Sequence, residues 1–237
     1  MQPELSLLVI VAHPDDAESY CGGTIARLTR AGHCVRLVVC TSGDRGSHHC
    51  EVSPSRLVKL RREEQQQAQE ILGIREVLWL DYADGELSQK TDLRDKLIRL
   101  YRQYRPDVII TFDPWKHYEF HPDHRAVGYM ATESRMLADL PWICPELTLE
   151  GISAWHPQEM YLFAPEEANY WVDISEEIDR KVEARLAHHS QNDFIHSEAD
   201  RAKFIDEIKN NAITSGKSCG YPYAEAFHKV DGTNINL

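Results

Sequence analysis

No apolar run in this sequence approaches the roughly 18 to 20 residues that a membrane helix requires, and the longest, residues 7–12, stops at a His-Pro turn. A helical membrane span is therefore not expected. Positive charge is also scarce, with 26 Lys and Arg against 38 Asp and Glu and a formal net charge of −12. The nearest basic cluster, Lys59-Leu60-Arg61-Arg62, runs directly into Glu63-Glu64 and reads as a solvated helix face, so no nucleic-acid partner is expected. The six cysteines, at 21, 34, 40, 50, 144 and 219, form no Cys-x-x-Cys and keep no regular spacing, which points to free thiols in a reducing compartment. The amino terminus Met-Gln-Pro-Glu has no basic region ahead of an apolar one, so a cytoplasmic location is expected. A Gly-x-Gly-x-x-Gly turn after the first apolar segment is missing too: Gly22-Gly23 comes too late for a dinucleotide fingerprint.

What remains is the composition of an ordinary globular protein, 42% hydrophobic and 27% charged over 237 residues, and one domain spanning 1–237 is the expectation. Short apolar segments at 5–12, 35–41, 76–81, 108–113 and 158–164 read as strands, being rich in Val, Ile, Leu and aromatics. Amphipathic stretches lie between them. The clearest is 54–72, with Leu57, Leu60, Glu64, Ala68, Ile71 and Leu72 at helical spacing and Gly73 as its carboxyl-terminal cap; 92–104 and 124–137 are similar. Strands that are nearly all apolar and alternate with helices predict an α/β fold, a Rossmann-like three-layer sandwich with a mostly parallel sheet. In such folds the ligand site lies beyond the carboxyl ends of the strands.

Two motifs fall there. Ala12-His13-Pro14-Asp15-Asp16 follows the first strand, and Pro14 stiffens a turn from which adjacent carboxylates project in different directions. His121-Pro122-Asp123-His124 follows the fourth, and a helix starting at Pro122 would put His121 and His124 about one turn apart. Together they offer three histidines and two aspartates, a donor set for a borderline divalent ion. Three ligands with an open position would make the site catalytic; the residues by themselves leave open which three, and a spare carboxylate and imidazole would then serve as base and acid.

His13-Pro-Asp-Asp-x-Glu with Gly22-Gly23-Thr24, Arg61-x-x-Glu64 with Leu72-Gly73, and His121-Pro-Asp-His124 together resemble the LmbE-like (PIG-L) zinc N-deacetylases. His188-x-Ser190-Gln191 and Ala224-Glu225-Ala226-Phe227 extend the resemblance over almost the whole chain. The resemblance implies a hydrolase that removes the acetyl group from an N-acetylglucosamine-type amino sugar or its conjugate, and favours a homo-oligomer. It implies zinc, with ferrous iron or another divalent ion as the alternative, on His13, Asp16 and His124. Asp15 falls at the position of the general base, and His121 at that of the group that stabilises the oxyanion and protonates the leaving amine. Arg61 and Asp84 fall at positions that hold the sugar, although Arg61 could equally pair with Glu64 at i,i+3.

The sequence departs from many relatives at 114–120, where Trp115-Lys116-His117-Tyr118-Glu119-Phe120 replaces a Gly-rich stretch. Its aromatics could stack on a sugar or pack into the protein. Three other readings compete. A nucleotide-binding module lacks its fingerprint, a zinc-stabilised interaction protein would not need both Asp15 and His121, and a ferrous oxygenase would depend on oxygen. His48-His49-Cys50 resembles a ligand cluster, but neighbours in a loop rarely converge on one ion, and surface histidines are expected. Residues 140–155, with Pro141 and Pro145, read as an irregular excursion.

Overall fold

The computed structural model describes residues 4–230. Seven strands form one sheet: β1 (Ser6–Val11), β2 (Cys34–Thr41), β3 (Glu76–Tyr82), β4 (Val108–Phe112), β5 (Glu159–Phe163), β6 (Tyr170–Asp173) and β7 (Ala224–Val230). Their order is β3-β2-β1-β4-β5-β7-β6, with the first five parallel and β7 antiparallel to both its neighbours. The helices are α1 (Asp16–Arg30), α2 (Pro54–Leu72), α3 (Leu93–Tyr104), α4 (Pro122–Leu137), α5 (Pro145–Leu149), α6 (Ile178–Leu186) and α7 (Glu198–Lys217). The α/β sandwich and the mostly parallel sheet are thus as the sequence predicts.

The chain runs outward from β1 through β2 to β3, then crosses back to place β4 on the other side of β1. Right-handed crossovers in opposite directions put helices on opposite faces. Accordingly α1, α2 and α6 pack together on one side, while α3 packs on α4 on the other. With both faces covered, Leu7 through Val11 are completely buried, and each such side chain contributes roughly 1.5–3 kcal/mol.

The carboxyl-terminal part adds Val172, Ile174, Ile178, Ala184 and Phe227 to the apolar core and also docks through buried polar contacts. Helix α1 is broken at Cys21 (φ −142°), which frees the backbone N–H groups of Gly23 and Thr24. The Glu225 carboxylate accepts from both, at 3.0 and 2.7 Å, from the Thr24 hydroxyl, and from Lys181 Nζ at 2.6 Å. Glu64 likewise accepts from the backbone and hydroxyl of Ser190, both at 2.6 Å. The excursion at 140–155 contains α5 and closes around Arg102, whose buried guanidinium donates to the carbonyls of Ala138, Leu140, Ile143 and Cys144. Among the described residues no helix is long and apolar enough to cross a membrane.

Candidate active site

The site lies where β1 and β4 run side by side and the connections from their ends diverge. His13 and Asp16 leave β1 on a tight turn, and the residue between Pro14 and Asp16 bears its strain: Asp15 has φ 95°, a left-handed conformation that Asp tolerates better than most side chains. Arg61 holds that turn. Its buried guanidinium donates to the carbonyls of Pro14 (2.5 Å) and Gly43 (3.2 Å) and to Asp15 Oδ1 (3.2 Å). Gly43, at φ 63°, passes so close that a Cβ there would stand 2.6 Å from the guanidinium. The pairing of Arg61 with Glu64 weighed above does not occur, because Glu64 is taken by Ser190.

From β4 the chain reaches His121, the N-cap of α4, with Pro122 as first helical residue. Its Nδ1 accepts from the Asp123 backbone N–H at 3.3 Å, which leaves Nε2 to carry the proton of the neutral ring. His124, one turn on, stacks on Phe112 with ring centroids 4.2 Å apart and on His121 at 4.4 Å. The helix can come this close because residue 128 is glycine: a Cβ there would stand 2.9 Å from the Phe112 carbonyl.

The donors converge. Asp16 Oδ2 lies 3.4 Å from His13 Nδ1, and Asp16 Oδ1 lies 3.5 Å from His124 Nε2. Ligands at about 2.0–2.2 Å in a tetrahedral zinc site stand roughly 3.4 Å from one another, so this spacing fits a small divalent ion held between them. His124 Nδ1 is buried without a hydrogen-bond partner, and its nearest acid is Glu119 Oε1 at 3.5 Å. His121 belongs to the same cluster: His13, His121 and His124 can each offer a nitrogen within 4.8 Å of the other two.

Behind His13 stand two carboxylates. Its Nε2 faces Asp84 Oδ1 at 3.1 Å and Asp123 Oδ2 at 3.3 Å, and Asp123 is itself fixed by the backbone N–H groups of Gly85 and Leu87. A carboxylate on the outer nitrogen of a metal-binding imidazole sets its orientation and raises its basicity. Asp84 is thus at the site, only 9% exposed and engaged with His13. Asp123 escaped the sequence reading, although the doubled His-Pro-Asp pattern contained it.

Burial alone would lower the His13 pKa, but Asp123, Asp16 and Asp84 outweigh it and raise it well above the ordinary histidine value. Burial likewise opposes ionisation of Asp16, yet His124 and His13 hold its carboxyl far below the usual range. A proton on His13 would therefore compete with a metal held there. Below that raised pKa, each unit fall in pH should weaken metal binding about tenfold per proton displaced, which titration of metal-free protein at several pH values would measure. Affinity that does not change with pH would contradict this. For Asp15, burial raises the pKa, partly opposed by Arg61 and by Arg185, whose Nη2 lies 3.5 Å from Asp15 Oδ2. His121 is lowered by burial and by its neighbours His13 and His124.

His49 pairs with Asp193 and Glu51 at the surface, and the residues 48–50 form no metal cluster among the described residues. All six cysteines are free.

Comparison with known proteins agrees with this geometry. Residues 8–134 match the family model "PIG-L: GlcNAc-PI de-N-acetylase". The chain belongs to the PIG-L family. A diacetylchitobiose deacetylase of Thermococcus kodakarensis is 32% identical over 98% of this chain and 85% of its own length. A probable N-acetyl-α-D-glucosaminyl L-malate deacetylase 2 of Bacillus anthracis is 30% identical over 81% of this chain and 83% of that protein. Among solved structures, the N,N'-diacetylchitobiose deacetylase of Pyrococcus horikoshii superposes with a TM-score of 0.88 at 31% identity, over 94% of this chain and 83% of that one. The PIG-L match ends at residue 134, but Glu225 and Ser190 tie the remainder of the chain to α1 and α2.

Proposed function

We propose that this chain is a zinc-dependent amide hydrolase that removes the acetyl group from an N-acetylglucosamine-type sugar or its conjugate, within one domain in the cytoplasm. The observation that carries the reading is the pair of Asp16 oxygens facing His13 Nδ1 and His124 Nε2 at 3.4 and 3.5 Å, with Asp15 next in sequence and His121 stacked on His124. The two deacetylases above 30% identity support the substrate class.

His13, Asp16 and His124 would hold the ion, which would supply Lewis acidity toward the amide carbonyl and toward water. Asp15 would take the proton from the attacking water. Its raised pKa suits a base, and the arginines on either side fix the carboxylate. His121 would donate from Nε2 to the developing oxyanion and relay to the leaving nitrogen the proton that Asp15 takes from water, so that a free amine and acetate are released. Arg61 and Asp84 hold the sugar in this reading, and they also contact Asp15 and His13.

Acetate release from a panel of N-acetylated amino sugars, with dependence on added metal, tests the reading. Acetate from an amino sugar supports it; metal-loaded protein inert on the whole panel would overturn it. His121 is tested separately. His121→Ala should keep metal at near-normal occupancy, lower the rate about 100-fold, and move the alkaline limb of the pH profile, since that limb reports the essential acid. Loss of the metal would make His121 a ligand instead.

A further inference from the structure

The catalytic groups leave the His188-x-Ser190-Gln191 motif unused, yet His188 is completely buried. Neither of its ring nitrogens has a hydrogen-bond partner, and Nε2 lies 3.4 Å from Oε2 of Glu18, which is completely buried too. Sealed polar groups cost stability, so two of them brought together from distant parts of the chain call for a reason.

The contacts of Glu18 lead to Asp15. Its other oxygen accepts from Gln65 Nε2 at 2.7 Å, and Gln65 Oε1 accepts from the Asp15 backbone N–H at 3.4 Å. Gln65 is buried as well. His188, Glu18 and Gln65 thus form a sealed line that ends on the backbone of the residue held at φ 95°.

The residues after His188 reach the same place by other routes. Asn192 Oδ1 accepts from Arg185 Nη1 at 2.8 Å, and Arg185 presents Nη2 to Asp15 Oδ2 at 3.5 Å. Gln191 donates to the Gly46 carbonyl at 3.1 Å, and Gly46 passes so close to Arg61 that a Cβ there would stand 2.5 Å from its Nη1. Ser190 anchors the segment on Glu64, next to Gln65. Three groups hold Asp15 from outside its own helix: Gln65 at the N–H, Arg61 at Oδ1 and Arg185 at Oδ2. Residues 188–192 stand behind each of them.

A left-handed backbone at a residue other than glycine persists where its surroundings over-determine it. A base gains from such fixing, because a misplacement of about 1 Å can cost about 100-fold in rate. We propose that residues 188–192 form a brace that positions Asp15, with His188 acting through Glu18 and Gln65 and Asn192 acting through Arg185. His188 is thus a positioning residue. This rests on the reading of Asp15 as the base.

The test uses full-length, zinc-loaded protein and N,N'-diacetylchitobiose, with zinc content and thermal unfolding measured beside kcat and KM. His188→Leu should keep its zinc and its KM while kcat falls about 10- to 100-fold. His188→Gln, whose amide can still donate to Glu18, should recover part of that loss. Added to Asp15→Asn, His188→Leu should cost nothing further, since residues that act as one unit are not additive. Asn192→Ala, which frees Arg185 and leaves His188 in place, should show the same pattern and decides the matter if His188→Leu does not fold. Loss of zinc, or a loss of rate that multiplies with that of Asp15→Asn, would overturn the brace. A fully active His188→Leu beside an inactive Asp15→Asn would overturn it too and leave the base standing, whereas a fully active Asp15→Asn would sink the base reading and the brace with it.

Discussion

Asp15→Asn should retain its metal and lose at least about 100-fold in acetate release, the scale expected when a general base is removed. The substitution suits the site. Asn is the other common side chain that tolerates the left-handed backbone found here at φ 95°, and its amide oxygen can still accept from Arg61. What it lacks is the basic carboxylate. The proposed metal donors lie on His13, Asp16 and His124, and none of the contacts among them passes through Asp15. Metal content and the thermal shift on adding zinc should therefore match wild type. A metal-loaded, fully active variant would remove Asp15 from the chemistry.

Asp16→Ala should do the opposite, taking metal and activity together. Asp16 spans the two imidazoles, so its loss removes one of the three proposed protein ligands and the charge that holds His13 and His124 toward each other. Its Oδ2 also accepts from the His13 backbone at 2.7 Å, so the turn itself loosens. Asp16→Asn separates these effects, because the amide oxygen can keep the backbone contact while the negative charge is gone. Both variants should bind zinc far more weakly, and the thermal stabilisation that zinc gives the wild type should vanish in Asp16→Ala. Normal zinc content in Asp16→Ala would reject its place among the ligands. A milder outcome is expected from Asp123→Asn, which weakens one of the two carboxylates behind His13 together with its hold on the Gly85 and Leu87 N–H groups: a loss of about 10- to 100-fold in metal affinity, read by chelator competition.

Residues of the opening turn and of the start of α4 were legible in the sequence because the strands before them are almost purely apolar. Leu7 to Val11 and Val108 to Phe112 need cover on both faces, which only a parallel sheet with two helix layers supplies, and the strand ends then name the site. The excursion at 140–155 was legible only as irregular; its order comes from one buried arginine on α3. Strands β6 and β7 were missed, as were α6 and α7. Besides the core residues Val172, Ile178 and Phe227, their hold on the rest includes polar pairs, Glu225 with Lys181 and Thr24 and Ser190 with Glu64, and such pairs leave no periodicity. The same reason hid Arg185, which reaches Asp15 from α6, and the inward turn of Glu119. Of the two readings of Arg61, the pair with Glu64 is the one that does not form. A helix position three before a glutamate suggests a local pair, whereas the guanidinium spans Pro14 and Gly43.

The central claim is that one ion between His13, Asp16 and His124 enables amide hydrolysis, and zinc titration of metal-free protein tests it most directly. Acetate release from N,N'-diacetylchitobiose should be absent without metal, rise in proportion to added zinc and level off near one ion per chain, with or without oxygen. Sustained acetate release from fully chelated protein, or a zinc-saturated protein that releases none from any N-acetylated amino sugar, would contradict it.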